Sequence, residues 1–133
     1  MDYKGFKNEL QNYYKHLENI DRINEDIDKI LYEMTGVKGV RYDKAPSMYN
    51  PELASERRFE LSEMLEEKEI ELDYTVAAIK YIEMKISKLS KEDKQICTDI
   101  ISKGISAEKV AREKGYSKGG MWKRIRRELE KIL

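Results

Sequence analysis

The first third of the chain carries a heptad repeat of apolar residues, which constrains the fold more than any other feature of the sequence. Between about Tyr3 and Met34, apolar side chains recur at alternating steps of four and three residues. The d positions are Phe6, Tyr13, Ile20, Ile27 and Met34, and the a positions are Leu10, Leu17, Asn24 and Leu31. This spacing predicts one coiled-coil-like helix of roughly 50 Å, in which a polar Asn24 would fix the register.

A second long helix is predicted from about Pro51 to Lys88, after a loop at 35–50 that contains two glycines and a proline. Its apolar positions again follow three-four steps: Leu61, Leu65, Leu72, Val76, Ile79, Ile82, Ile86 and Leu89. Two long helices with matching stripes predict that residues 1–88 form an antiparallel hairpin, a self-associating coiled coil, or both. We therefore expect a homo-oligomer, a dimer, assembled through the long helices.

The charge is distributed unevenly, although 26 basic residues balance 26 acidic residues over the whole chain. From Leu89 onward there are 12 Lys/Arg against 7 Asp/Glu, which leaves the other 88 residues with 14 against 19. A basic end beside an acidic remainder is typical of a protein that presents one end to nucleic acid.

Few residues in the chain are suited to catalysis or metal binding. Cys97 is the only cysteine and His16 is the only histidine, so no disulfide framework or Cys/His metal site is expected. The acidic run from Glu66 to Asp73 has no catalytic partner and indicates a solvated helix face. We expect no enzyme activity, no cofactor and no metal. Without a signal core or an apolar span, the sequence predicts a cytoplasmic protein that does not enter the membrane.

The C-terminal region, 89–133, changes character and predicts a tri-helical domain. Its helices are expected at Lys91–Lys103, at Ala107–Lys114 and from Lys118 to the end. Each follows a serine that can cap it: Ser90, Ser106 and Ser117. Gly104 is placed to end the first of these helices. The predicted fold class is therefore all-α, with two long coiled-coil-like helices before a C-terminal tri-helical helix-turn-helix domain.

The last two helices meet the physical demands of a helix-turn-helix. Ala111 allows close helix crossing, Gly115 tolerates the positive φ of the turn, and Tyr116 is expected to fill the core inside that turn. Three apolar residues at steps of four are expected to anchor the last helix: Met121, Ile125 and Leu129.

The residues left on the other faces are the predicted contacts to double-stranded DNA. They are Ser106, Ser117, Lys118, Gly119, Gly120, Trp122, Lys123, Arg124, Arg126 and Arg127. Arg124 and Arg127 share one helix edge, which suits either phosphate contacts or a solvated basic face. The glycine pair either allows close backbone approach to DNA or is simply tolerated in an irregular first turn. Trp122 either packs against the body of the domain or contacts the DNA backbone.

The C-terminal region resembles region 4 of bacterial sigma factors and the phage regulators built on it. The matching residues are Leu89, Ser106, Val110, Ala111, Gly115, Ser117, Arg124 and Arg127, whereas Lys109 stands where the family usually has glutamate. With its coiled-coil front, the chain is similar to ArpU/RinA-type regulators of phage late genes. The resemblance implies a sequence-specific transcriptional regulator, a phage or prophage late-gene activator, in the cytoplasm of a bacterial host cell. It also implies RNA polymerase as a partner besides DNA. The alternatives are a phage small terminase subunit and a coiled-coil adaptor that binds RNA polymerase.

Overall fold

The described part of the chain consists of helices joined by short turns. A computed structural model describes residues 1–35 and 51–133, and no strand occurs among them. The helices are α1 (Tyr3–Gln11), α2 (Tyr13–Thr35), α3 (Pro51–Ile86), α4 (Lys91–Cys97), α5 (Ala107–Lys114) and α6 (Lys118–Ile132). The all-α prediction is confirmed. The predicted loop at 35–50 lies outside the described residues, apart from Thr35 at the end of α2. None of the described helices has the length and apolar character needed to cross a membrane.

The predicted N-terminal helix is interrupted at Asn12, which separates α1 from α2. Asn12 has φ −93° and ψ 2°, outside the helical region, and its N–H is shared between the carbonyls of Asn8 and Glu9 at 3.2 and 3.1 Å. The expectation of one continuous helix was therefore wrong at this residue. The interruption ends α1 at Gln11, and α2 begins at Tyr13.

One compact unit contains Met1–Glu18 together with Val76–Leu133. Phe6 and Leu10 of α1 and Ile82 and Ile86 of α3 are buried with the apolar residues of the C-terminal helices. The other buried members are Ile96, Cys97, Ile100, Ile101, Ala107, Val110, Ala111, Met121, Ile125 and Leu129. The compact unit thus extends beyond the predicted tri-helical domain at 89–133, because α1 and the end of α3 complete its core.

A second compact unit, Asn19–Thr75, contains the rest of α2 and α3. Ile23, Ile30 and Leu61 are buried in it. Two ion pairs join the helices: Arg57 to Glu33 at 2.6 Å and Lys68 to Asp26 at 3.2 Å. The predicted a positions Asn24 and Leu31 are exposed, so the buried stripe of α2 in this unit is rotated from the predicted seam.

The predicted helix from Lys91 to Lys103 forms in two parts. Ser90 caps α4 by accepting a hydrogen bond from the Asp93 N–H at 3.2 Å, as the sequence predicted. After Cys97 the helix widens into a π-helical turn, Thr98–Ser102, in which the Lys103 N–H donates to the carbonyl of Thr98 at 2.9 Å. Gly104 follows with φ 71°, the left-handed conformation that ends a helix most easily at glycine.

The position of Cys97 in the core generates a test of the fold. Burial raises the pKa of the Cys97 thiol to about 12, so the reactive thiolate is nearly absent at pH 8. We expect an aromatic disulfide reagent to label folded protein at least about a hundredfold more slowly than protein unfolded in urea. Equal labelling rates in the two states would contradict the core described for this unit.

Candidate nucleic-acid interface

The turn between α5 and α6 has the geometry that its sequence requires. Gly115 adopts φ 77°, and the next residue, Tyr116, donates its N–H to the carbonyl of Ala111 at 2.8 Å. Ala111 is buried, which lets α6 cross α5 closely. Gly115 and Ala111 thus have the local roles predicted from the sequence. A Cβ at Gly115 would meet no atom within 4 Å, so only the positive φ calls for glycine there.

Helix α6 is held against the core by the three predicted anchors. Met121, Ile125 and Leu129 are buried, with exposed fractions of 0%, 1% and 0%. Because these residues lie four apart, they occupy one side of the helix and leave the opposite side to solvent. Lys123 and Arg127 lie near the centre of that open side, and Gly119 and Gly120 lie on it one turn earlier.

Tyr116 does not fill the core as predicted, because 43% of it is exposed. Its ring lies 5.3 Å from the guanidinium carbon of Arg124, and its hydroxyl accepts a hydrogen bond from Arg124 Nη1 at 2.9 Å. The aromatic residue of the turn therefore supports the side chain of an arginine on α6.

Arg124 was predicted to contact phosphates, but the structure commits its guanidinium to α4. Nε donates to Asp93 Oδ1 at 2.8 Å, and Nη2 lies 3.5 Å from Glu92 Oε2. The side chains of Arg124 and Asp93 are only 15% and 12% exposed. We call this set of contacts among Arg124, Asp93, Glu92 and Tyr116 the Arg124 clasp. The clasp gives Arg124 a structural role, so DNA binding is not needed to explain an arginine at this position.

The other basic residues in the second half of α6 have carboxylate partners. Arg126 pairs with Glu130 at 2.7 Å, Arg127 with Glu128 at 3.1 Å, and Lys131 with Glu128 at 3.2 Å. Hydrogen bonds from Lys131 and Arg127 lower the pKa of Glu128, which keeps it ionised beside them. These pairs are exposed and therefore weak, so the arginines can exchange partners at little cost. Even so, most of the positive charge in this half is locally balanced.

The first half of α6 has a different electrostatic character. Lys118 and Lys123 are exposed, and neither forms an ion pair with any side chain described in the ranges 1–35 and 55–133. Ser117 caps the helix as predicted, with its hydroxyl accepting from the Gly120 N–H at 3.0 Å. The remaining N–H groups of the first turn and the positive end of the helix dipole add to the two lysine charges. The first turns of α6 are therefore its most electropositive part.

The two glycines of this turn differ in their surroundings. A Cβ at Gly120 would lie 3.0 Å from the capping Ser117 Oγ, so a side chain there would press on the cap. A Cβ at Gly119 would lie in open space, with no atom within 4 Å. The N-terminal cap thus gives a reason for Gly120, whereas no contact within the described chain requires Gly119. The bare Gly119 backbone faces outward.

Trp122 and Ser106 complete the set of predicted contact residues. Trp122 is partly buried and packs against the core, and the ammonium of Lys7 lies 4.3 Å from the centre of its ring. This position accounts for Trp122 as a packing residue. Ser106 is exposed immediately before α5, but its side chain makes no capping hydrogen bond, contrary to the prediction that it caps this helix.

Two contacts of α6 were not predicted from the sequence: its packing against α1 and the pairing of Arg124 with Asp93 of α4. The apolar residues of α1 had been assigned only to a coiled-coil seam. A tryptophan on a basic helix was a usable signal, because a ring of that size needs a covering surface. No signal in the sequence linked that surface to α1.

Comparisons with known proteins add no family to this description, since no family model, curated protein or solved structure matches the chain. The resemblance to region 4 of sigma factors therefore remains a prediction.

The Arg124 clasp predicts that Arg124 contributes mainly to stability. Arg124→Ala would remove the ionic partner of the poorly hydrated Asp93 carboxylate and leave it only the hydrogen bond from the Ser90 hydroxyl at 2.9 Å. We therefore expect a loss of about 2 kcal/mol in the free energy of unfolding. Arg127→Ala, which removes an exposed guanidinium from the same helix, is the matched control and should leave the urea midpoint almost unchanged. Equal midpoints for the two variants would show that the clasp does not stabilise the unit.

Proposed function

We propose that the chain binds double-stranded DNA, with α5 and α6 acting as a helix-turn-helix and α6 as the recognition helix. One observation carries the proposal. The first turns of α6 present two exposed lysines without ion-pair partners in the described residues, together with a capped helix N-terminus and an open glycine backbone. Phosphates and base edges are the ligands that such a surface binds best.

The packing of α6 also favours this function. The buried anchors and the Arg124 clasp hold the helix from two sides, so its outward face is preorganised. A preorganised surface loses little conformational entropy when it binds, which favours recognition of a regular structure such as the DNA major groove.

The resemblance to sigma region 4 extends the proposal to transcription. On that basis the chain is a sequence-specific regulator, a phage or prophage late-gene activator in the host cytoplasm, and RNA polymerase is a second partner. We further propose a homodimer formed through the long helices. The exposure of several apolar side chains on the long helices supports it, because a second copy would cover them: Leu31, Phe59, Met64 and Ile70.

The DNA-binding proposal is tested with the double variant Lys118→Ala/Lys123→Ala. A labelled duplex of mixed sequence, roughly 20 base pairs long, serves as the probe at salt concentrations of about 50 to 200 mM. We expect the affinity to fall at least about tenfold, and the slope of log K against log salt to decrease by about 2, because two phosphate contacts are lost.

The matched control is Lys80→Ala/Lys88→Ala, which removes two exposed lysines from other positions of the same compact unit. It should retain the affinity of the unmodified chain. Absence of salt-dependent binding by the unmodified chain would refute the proposed function. An equal loss in both double variants would show that α6 is not the binding element.

A further inference from the structure

Helix α1 lies along the side of α6, so it is placed next to the proposed DNA-binding surface. Two contacts define this arrangement. Lys7 Nζ lies 4.3 Å from the ring centre of Trp122, and the guanidinium carbon of Arg126 lies 5.2 Å from the ring centre of Tyr3. The chain directions are therefore opposed, since the later residue of α1 meets the earlier residue of α6.

Burial fixes which flank of α1 is turned to α6. Phe6 and Leu10 are buried in the core, at 0% and 2% exposure, so α1 cannot rotate without exposing them. At the helical period, Tyr3, Lys4 and Lys7 then share one flank. Glu9 lies on the other flank, where its carboxylate meets His16 at 3.2 Å.

The flank of α1 next to α6 carries two lysines, Lys4 and Lys7. Lys4 lines a shallow cleft with Tyr3, Arg126, Asp2 and Glu130. The Asp2 carboxylate accepts a hydrogen bond from the Gly5 N–H at 2.8 Å and caps α1, so its negative charge lies at the positive end of the helix dipole. Glu130 is engaged with Arg126. Neither Lys4 nor Lys7 forms an ion pair with any other residue that the structure describes.

These positions extend the positive surface of α6 onto a second helix. Lys7 lies beside Trp122, and Lys4 lines the same cleft as Arg126. The ammonium of Lys7 is held over an aromatic ring, and a phosphate oxygen can bind the same ammonium without displacing this contact. A polyanion that follows α6 would therefore pass within reach of both lysines.

We propose that α1 is part of the DNA interface, and that Lys4 and Lys7 bind backbone phosphates beside the segment that α6 contacts. The inference rests on the proposed DNA binding of α6 and adds a second binding element to it. The phosphate contacts from α1 would contribute affinity and fix the orientation of α6, without reading the base sequence.

The test variant is Lys4→Gln/Lys7→Met, which removes both charges while the methionine keeps an aliphatic cover on Trp122. With the same labelled duplex, we expect roughly fivefold weaker binding at about 100 mM salt. Over about 50 to 200 mM salt, the slope of log K against log salt should be smaller by about 2. Lys4→Arg/Lys7→Arg, which keeps both charges, should bind within about twofold of the unmodified chain. The urea midpoint and the far-UV circular dichroism of each variant report whether the unit keeps its fold.

The control Lys15→Ala/Lys88→Ala removes two exposed lysines elsewhere in the same unit and should bind as the unmodified chain does. Unchanged affinity and slope for Lys4→Gln/Lys7→Met, with weakened binding for Lys118→Ala/Lys123→Ala, would overturn this inference and leave the function of α6 intact. Equal losses in the control or in the arginine variant would also overturn it. No salt-dependent binding by the unmodified chain would instead refute the proposed function itself.

Discussion

The burial of Phe6 and Leu10 against the C-terminal helices is the constraint on which the rest of this structure depends. Each side chain removes a large apolar surface from water, worth about 2 kcal/mol or more, and together they tie the first helix to the last. The same packing fixes which flank of α1 meets α6 and so places Lys7 over Trp122.

Charge pairing divides α6 into two functional parts. In its second half, carboxylates lie beside the basic groups, and Arg124 is drawn away to α4 by Asp93. In its first turns, the lysine charges, the free N–H groups and the helix dipole all favour the binding of an anion. Counting basic residues along the sequence would have placed the strongest positive surface near Arg126 and Arg127. Ion pairing shifts the strongest positive surface towards Lys118 and Lys123, because charges paired with a carboxylate attract a polyanion less than unpaired ones.

The features that could be predicted from the sequence are those set by local chemistry. The cap at Ser117, the left-handed Gly115 and the four-residue spacing of the α6 anchors each depend on a few neighbouring residues. The features that could not be predicted depend on contacts distant in sequence. Arg124 and Asp93 are 31 residues apart, and no local pattern around either residue predicts that they pair. The stripe of Phe6 and Leu10 fits a coiled-coil seam and a globular core equally well, because both need apolar residues at steps of four and three.

Hydrogen–deuterium exchange of the full chain, with and without duplex DNA, tests most directly the claim that α1 and the first turns of α6 form one DNA-binding surface. The account predicts slower exchange in DNA at two segments, Tyr3–Gln11 and 118–123. Segments that bind phosphates lose local opening motions on binding. Saturating DNA that slowed exchange at neither predicted segment would contradict the account.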